Sequence, residues 1–388
     1  MGKQNKSQKG KRIVLGILCV LLAVALGVLV AGTILADTVL GNMNYVEKGQ
    51  SEYLSQEEAE ALKAQLASED AAMNATEAED EEESEAPSET ETTETTEVTE
   101  ESTEETTEEP STVVLSEEEV DLEVELSEEI GSEKHITNIL LVGQDSQKGV
   151  RERSDTMMLV TVNTKKDTIT ITSFMRDMYV KIPGYYKQKI NAAYMLGGMD
   201  LLNETLYENF GIVVDHNVEV SFGQFMDIID YLGGLDMELT QKEADFVNKA
   251  SGTKSAKAGM NHLDGYGALV YARYRDKAAG DFARTERQRK TLNALIERYK
   301  TAELTTMIGM INEMMGMITT NMTKTEVLNY AVKFFPMLAT AEIVSQRVPF
   351  DGTHTNGKEY YYMAMIDEVS VVVPRLTENA EKLAETLS

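Results

Sequence analysis

The chain is poor in the residues that usually announce chemistry. It has a single cysteine, four histidines and no tryptophan in 388 residues. One cysteine excludes an internal disulfide and a CxxC metal site. That residue, Cys19, lies in an uncharged run. Ile17 and Leu18 precede it, where lipidation would want small residues, so it reads as a packing residue within that run. The histidines, His135, His216, His262 and His354, share no metal-ligand spacing. Neither a GxSxG elbow nor a GxxxxGK[ST] loop occurs, so an esterase triad and a P-loop nucleotide site are both excluded.

Charge is missing from two further places. Residues 13–36 carry no charged residue, and Lys3, Lys6, Lys9, Lys11 and Arg12 precede them with no acid among residues 1–12. A helix of that length would be about 36 Å long, enough to cross a bilayer core of about 30 Å. A cleaved signal peptide would have an apolar core of only about 7–15 residues. The pattern predicts an uncleaved membrane anchor over 13–36, a cytoplasmic basic tail over 1–12, and everything beyond Asp37 outside the cell.

No Lys or Arg occurs between Lys63 and Lys134. Residues 1–130 hold 7 bases and 33 acids, whereas 131–388 hold 29 and 33. The net charge of −30 is therefore concentrated before residue 131. Ser68–Ile130 is rich in Glu, Thr and Ser and reads as a disordered acidic linker, a spacer about 40–48 Å long on average. An acidic binding tail or glycosylated stalk is the alternative reading. Before it, within 37–67, Ser55 and Glu58 form a capping-box pattern that predicts a short helix.

What remains, 131–388, is long enough for a large core. Ile139–Val142, Met157–Val162 and Thr168–Ser173 read as strands, the last two joined by a polar turn at 164–167. Leu201–Phe210 reads as a helix ended by Gly211, and Phe222–Leu232 as one ended by Gly233 and Gly234. Asp264 and Asp281 are placed to cap helices beginning at Gly265 and Phe282. Further strands fall at Val213–Val220, Asp236–Leu239, Ile343–Val348 and Ser370–Val373, and further helices near 303–318 and 324–338. The alternation predicts an α/β fold, a three-layer sandwich of helices on both faces of a mixed sheet. The methionine-rich run 305–322 suits a core helix, with the lining of a long apolar ligand as the second reading.

Two aspartates, Asp145 and Asp155, stand at the ends of a loop between strands, so both carboxylates can meet one Mg²⁺ and leave its other positions to water and phosphate. Arg153, Arg176, Arg273, Arg275, Arg284 and Arg287 lie near element ends, where guanidinium groups can grip phosphate oxygens. Arg284, Arg287 and Gln288 share one helix face near a helix N-terminus. Lys189 offers a further cation on a loop. These are parts of a phosphoryl-transfer site. The bland alternative is a set of solvated loop acids and surface ion pairs.

The segments NILLVGQDS, RSDTMMLVTVN, MRD, KINAAYMLGG, IIDYLGGLDMEL, YARYRD and DFARTERQ follow one another from about Asn138 to Lys300. In that order they resemble the LytR-CpsA-Psr proteins of Gram-positive cell envelopes. The resemblance implies a phosphotransferase that moves a glycopolymer, of wall teichoic acid or capsule type, from an undecaprenyl-pyrophosphate carrier to peptidoglycan. It implies Asp145 and Asp155 as Mg²⁺ ligands. It places Arg153, Arg176, Lys189, Arg273, Arg275, Arg284 and Gln288 on the pyrophosphate, with Asp155, Arg176, Asp177 and Arg275 in the chemistry. Asp281 matches the family's aspartate near the last arginine. The chain departs from the pattern at Met175 (usually proline), Gln147 (usually arginine) and Arg289 (usually glutamine). Hydrolysis of a lipid pyrophosphate is an alternative reaction, and a non-enzymatic envelope regulator an alternative role. A nearly neutral outer domain argues against nucleic acid as partner.

Overall fold

In a computed structural model the chain is described over residues 44–63, 65, 112–126, 128–131, 133–144, 151–275, 280–300 and 303–388. The anchor expected at 13–36 and most of the acidic linker lie outside these. Among the described residues no helix is long and apolar enough to cross a membrane. The chain forms a mixed α/β fold of two compact units, one of 48–215, 275–289 and 343–388, the other of 216–274 and 290–342 with the N-terminal residues to 47.

The first unit is built on an antiparallel meander. Strand Ile136–Gln144 pairs with Ser154–Asn163, and that strand pairs with Thr168–Phe174. Alternation decides which side faces inward: Leu140 and Val142 on the first strand, and Met157 and Leu159 on the second, are buried in the main core. The register slips at Gly143 and Gln144, a bulge where the strand leaves the ladder before Asp145. Two short strands, Tyr179–Lys181 and Lys187–Lys189, make a second hairpin. Helix Asn191–Phe210 follows and ends on Gly211 at φ 71°, a left-handed position that glycine adopts without strain. Strands Tyr361–Ile366 and Val369–Pro374 pair antiparallel, and helix Leu376–Leu387 closes the unit.

This unit begins well before residue 131. The capping box is formed, Ser55 and Glu58 bonding each other reciprocally ahead of a helix over 56–63. Ala59 of that helix is fully buried in the main core. The preceding residues lie along helix Asn191–Phe210: Gly49 and Ser51 donate their amides to the Asp200 carboxylate, and Leu54 N–H bonds Leu196 O at 2.8 Å. They cross the helix where Gly197 and Gly198 interrupt it, and a Cβ at Gly198 would meet Ser51 Oγ at 3.0 Å. Residues 113–126 and 128–130, assigned to the linker by composition, are also folded. Val113–Val114 pairs parallel with Tyr361–Ile366, while Val120, Leu122 and Ile130 are buried in the core. Composition missed them because a few well-spaced apolar residues within an acidic run are enough to dock it.

The second unit holds helices Phe222–Tyr231, Gln241–Ser251 and Gly265–Arg273 against the hairpin Leu235–Leu239 and Gly259–Leu263. Each helix starts on a side-chain cap, from Ser221, Thr240 and Asp264 respectively. Helices Leu304–Met314 and Lys324–Phe334 complete it, and Met315 and Met322 are buried with Val327 in a small cluster.

Candidate functional site

The hairpin register builds the first part of the site. Met158 faces Ser173 across the ladder, and carrying that pairing three residues further sets Asp155 opposite Arg176. Their side chains meet there, Arg176 Nη1 donating to Asp155 Oδ1 at 2.7 Å. The second hairpin brings Lys189 back beside the chain that leaves Arg176, so that Lys189 Nζ lies 3.1 Å from Asp177 Oδ1. Helix Gly280–Tyr299 supplies the rest. Asp281 and Arg284 are one turn apart, with Arg284 Nη2 2.6 Å from Asp281 Oδ1. Arg176 Nε lies 3.5 Å from both Asp177 Oδ2 and Asp281 Oδ1.

Three carboxylates and three cations from four stretches of chain thus share one cluster within the first unit. It is formally neutral. Arg284 and Lys189 are buried, and the Arg176 side chain is 15 % exposed. The hydrogen-bonding is incomplete. Neither oxygen of Asp281 accepts a hydrogen bond in good geometry, and Nε of Arg176 and of Arg284 donates none, though all four atoms are shut off from solvent. Orphaned buried polar atoms of this kind are costly, and they leave donors and acceptors that a water, an ion or a ligand can satisfy.

Burial and neighbours divide the acids. Burial pushes Asp177 up, but Lys189 and Arg176 outweigh it and hold the carboxyl below its usual range. For Asp281 burial wins over Arg284, with the Asp177 charge adding to it, and the carboxyl is raised. Burial lowers Arg284, against the pull of Asp281. Burial also works against the Arg176 charge, but Asp177, Asp281 and Asp155 outweigh it and Arg176 is raised. Arg176 is therefore the charge that the three acids hold in common.

The remaining expected residues fall in different places. Gln288 and Arg287 are buried on the same helix, Arg153 is half-buried and Arg275 is exposed. Arg273 belongs to the second unit, where its exposed guanidinium lies 4.4 Å from the Phe222 ring centroid. Asp145 is outside the described residues. Two expectations change. Lys189 is the end of a strand and buried, not a solvated loop lysine. Asp281 lies inside the first turn of a helix that starts at Gly280, so its carboxylate is turned to Arg284 and Arg176 and does not cap the helix. The Asp281/Arg284 spacing was the available signal for that pairing.

Among the described residues no three His, Cys, Asp or Glu side chains could together hold a metal ion. Asp155 offers hard carboxylate oxygen of the kind Mg²⁺ takes, with Oδ1 already bonded to Arg176 and the side chain 28 % exposed. A magnesium site with one protein carboxylate on the described chain, and a second expected from Asp145, fits that donor chemistry.

The family model described as LytR_cpsA_psr matches residues 89–376. A polyisoprenyl-teichoic acid–peptidoglycan teichoic acid transferase TagU of Bacillus cereus is 31% identical over 240 residues, covering 60% of this chain and 75% of the relative. The TagU of Bacillus subtilis is 30% identical over 276 residues, 70% of this chain and 87% of the relative. Among solved structures, "TagT bound to LI-WTA" superposes with a TM-score of 0.54 at 27% identity, over 68% of this chain and 98% of that one.

Proposed function

Because the chain belongs to the LytR-CpsA-Psr family, we propose that it transfers a glycopolymer from a polyprenyl-pyrophosphate carrier to peptidoglycan, forming a phosphodiester and releasing the polyprenyl phosphate. Relatives of this family are named as teichoic acid transferases acting between a polyisoprenyl carrier and peptidoglycan. The observation that carries the reading is the cluster in which Arg176 and Arg284 converge on the same buried carboxylate, Asp281.

In the absence of substrate the three acids occupy the guanidinium groups. A pyrophosphate competes for those same donors, with Arg176, Arg284 and Lys189 turning from carboxylate to phosphate oxygens. A neutral cluster has no surplus charge with which to draw a multiply charged headgroup. The extra cations are the half-buried Arg153 and the exposed Arg275, together with Mg²⁺, which Asp155 and Asp145 would hold. The ion, when bound, neutralises charge on the phosphoryl oxygens. Gln288 adds a neutral hydrogen-bonding group on the face that carries Arg284.

Arg176 and Arg284 stabilise the charge that builds on the leaving phosphate as its bond breaks. Asp177, held below its usual range and tied to Lys189, is a weak base that positions the lysine. Asp155 is the more exposed carboxylate and is the one an incoming hydroxyl can reach to hand over its proton. The three-layer sandwich, the anchor over 13–36 and the extracellular placement belong to the same proposal. Reconstitution of the full chain with a lipid-linked glycan, with and without peptidoglycan fragments, tests it. Glycan joined to the fragments is expected. Release of free glycan phosphate regardless of acceptor would establish the hydrolase reading, and no turnover of either kind would favour a regulator.

A further inference from the structure

Helix Gly280–Tyr299 carries a second, separate cationic face. Phe282, Glu286 and Arg289 are spaced i, i+4 and i+7, so they share one side, rotated roughly 120° from the side that holds Asp281, Arg284 and Gln288. Strand Glu342–Val348 meets that side through Arg347, whose guanidinium lies over the Phe282 ring at 4.3 Å from its centroid. Tyr361 flanks the same ring, centroid to centroid 5.6 Å. Arg347 also reaches Met175 Sδ at 3.6 Å and Pro349 O at 3.3 Å, and its Nη2 pairs with Asp351. The Asp351 side chain is 73 % exposed while that of Arg347 is 11 % exposed, so the partner sits at the rim and the guanidinium sits inside.

Arg289 is the less satisfied of the two. Its Nη1 is cut off from solvent and has no hydrogen-bond partner. Burial and the neighbouring positive charge of Arg347, partly offset by Glu286, bring Arg289 down to about 10. Burial lowers Arg347 as well. Arg289 thus carries a desolvated charge with one orphaned donor and feels the repulsion of Arg347, and an oxyanion that accepts from that donor and offsets both charges stabilises the pair.

We propose that Arg289 and Arg347, walled by Phe282 and Tyr361, form an anion subsite for a phosphodiester of the donor glycan, distinct from the Arg176/Arg284 cluster that receives the pyrophosphate. The assignment rests on the donor reading given above. It adds to that reading a requirement on the polymer: a phosphate in its repeating chain, beyond the carrier linkage. The aromatic walls give an adjoining polyol or sugar an apolar surface to lie on.

Calorimetry on the full chain in detergent tests this with a glycerol-phosphate oligomer that has neither lipid nor pyrophosphate, in the presence of saturating inorganic pyrophosphate. Binding of the oligomer is expected, with a loss of about tenfold or more in Arg289→Gln and in Arg347→Gln, since each removes charged hydrogen bonds. Arg289→Lys, which keeps the charge and loses the fork, is expected to fall between. Thermal unfolding of each variant confirms that it folds. Equal oligomer affinity in wild type and both Gln variants would overturn the proposal. So would a uronate oligomer binding as tightly as the phosphate one, which would make this a carboxylate site. Oligomer binding without any binding of lipid-linked pyrophosphate would instead sink the donor reading and leave the subsite standing.

Discussion

Arg176 balances three acids at once, and alanine at Arg176 and at the exposed Arg275 separates charge balance from chemistry. Arg176→Ala leaves Asp155, Asp177 and Asp281 without the cation they share. Removal of one partner from a buried ion cluster costs about 3–5 kcal/mol, so a clear drop in melting temperature is expected together with at least a 10²–10³-fold loss of transfer. Arg275 is exposed. Arg275→Ala is expected to lose transfer at an unchanged melting temperature. A melting temperature for Arg176→Ala equal to wild type would contradict the cluster. The pH dependence follows from the acids. Asp177 binds its proton more weakly folded than unfolded, so its stabilising contribution is complete above the ordinary carboxylate range near about 4 and is lost as pH falls through its depressed value. Asp177→Asn should therefore melt below wild type at pH 7, with the deficit shrinking below about pH 4. Asp281 has the opposite sign: its raised carboxyl costs stability as pH climbs from the ordinary range to its folded value.

At the scale of elements, close approach decides more than propensity. Gly265 opens a helix whose Cα sits against the backbone of Met226, and a Cβ there would collide with Met226 O. Gly265→Ala forces helices Gly265–Arg273 and Phe222–Tyr231 apart, and a cost of about 1–3 kcal/mol is expected in denaturant unfolding. The long strands and several helices were legible because Ile169 and Ile171 alternate with threonines and because Asp264 and Gly211 punctuate their helices. Strands of three residues carry no period, which is why Lys187–Lys189 read as a loop. The helix at Gln241–Ser251 went unread although Thr240 and Glu243 form a capping box. Of the site, Asp155 and the arginines were readable as residue types in suggestive places. Their pairing was not, since it depends on a register that only the closed hairpin sets.

For the whole molecule, the boundary of the catalytic unit changes what a truncation tests. Removal of 68–130 takes away Val120, Leu122 and Ile130, three buried core residues, and is expected to destabilise the fold severely. Replacing 66–111 with a twelve-residue flexible link spares them and the helical Gln65. That shortens the connection about fourfold in residues, two halvings worth about 0.6 kcal/mol each, so a gain of about 1 kcal/mol in unfolding free energy is expected. Loss of stability in that second variant would show that the removed residues pack on the fold.

Lys63 and Glu117 form an ion pair, 3.1 Å apart. It ties the helix over 56–63 to the turn at Glu117–Glu119, two segments of the first unit that lie 54 residues apart in the sequence. The separation of those two anchor points is therefore set by the folded unit, whatever the length or sequence of the residues between them.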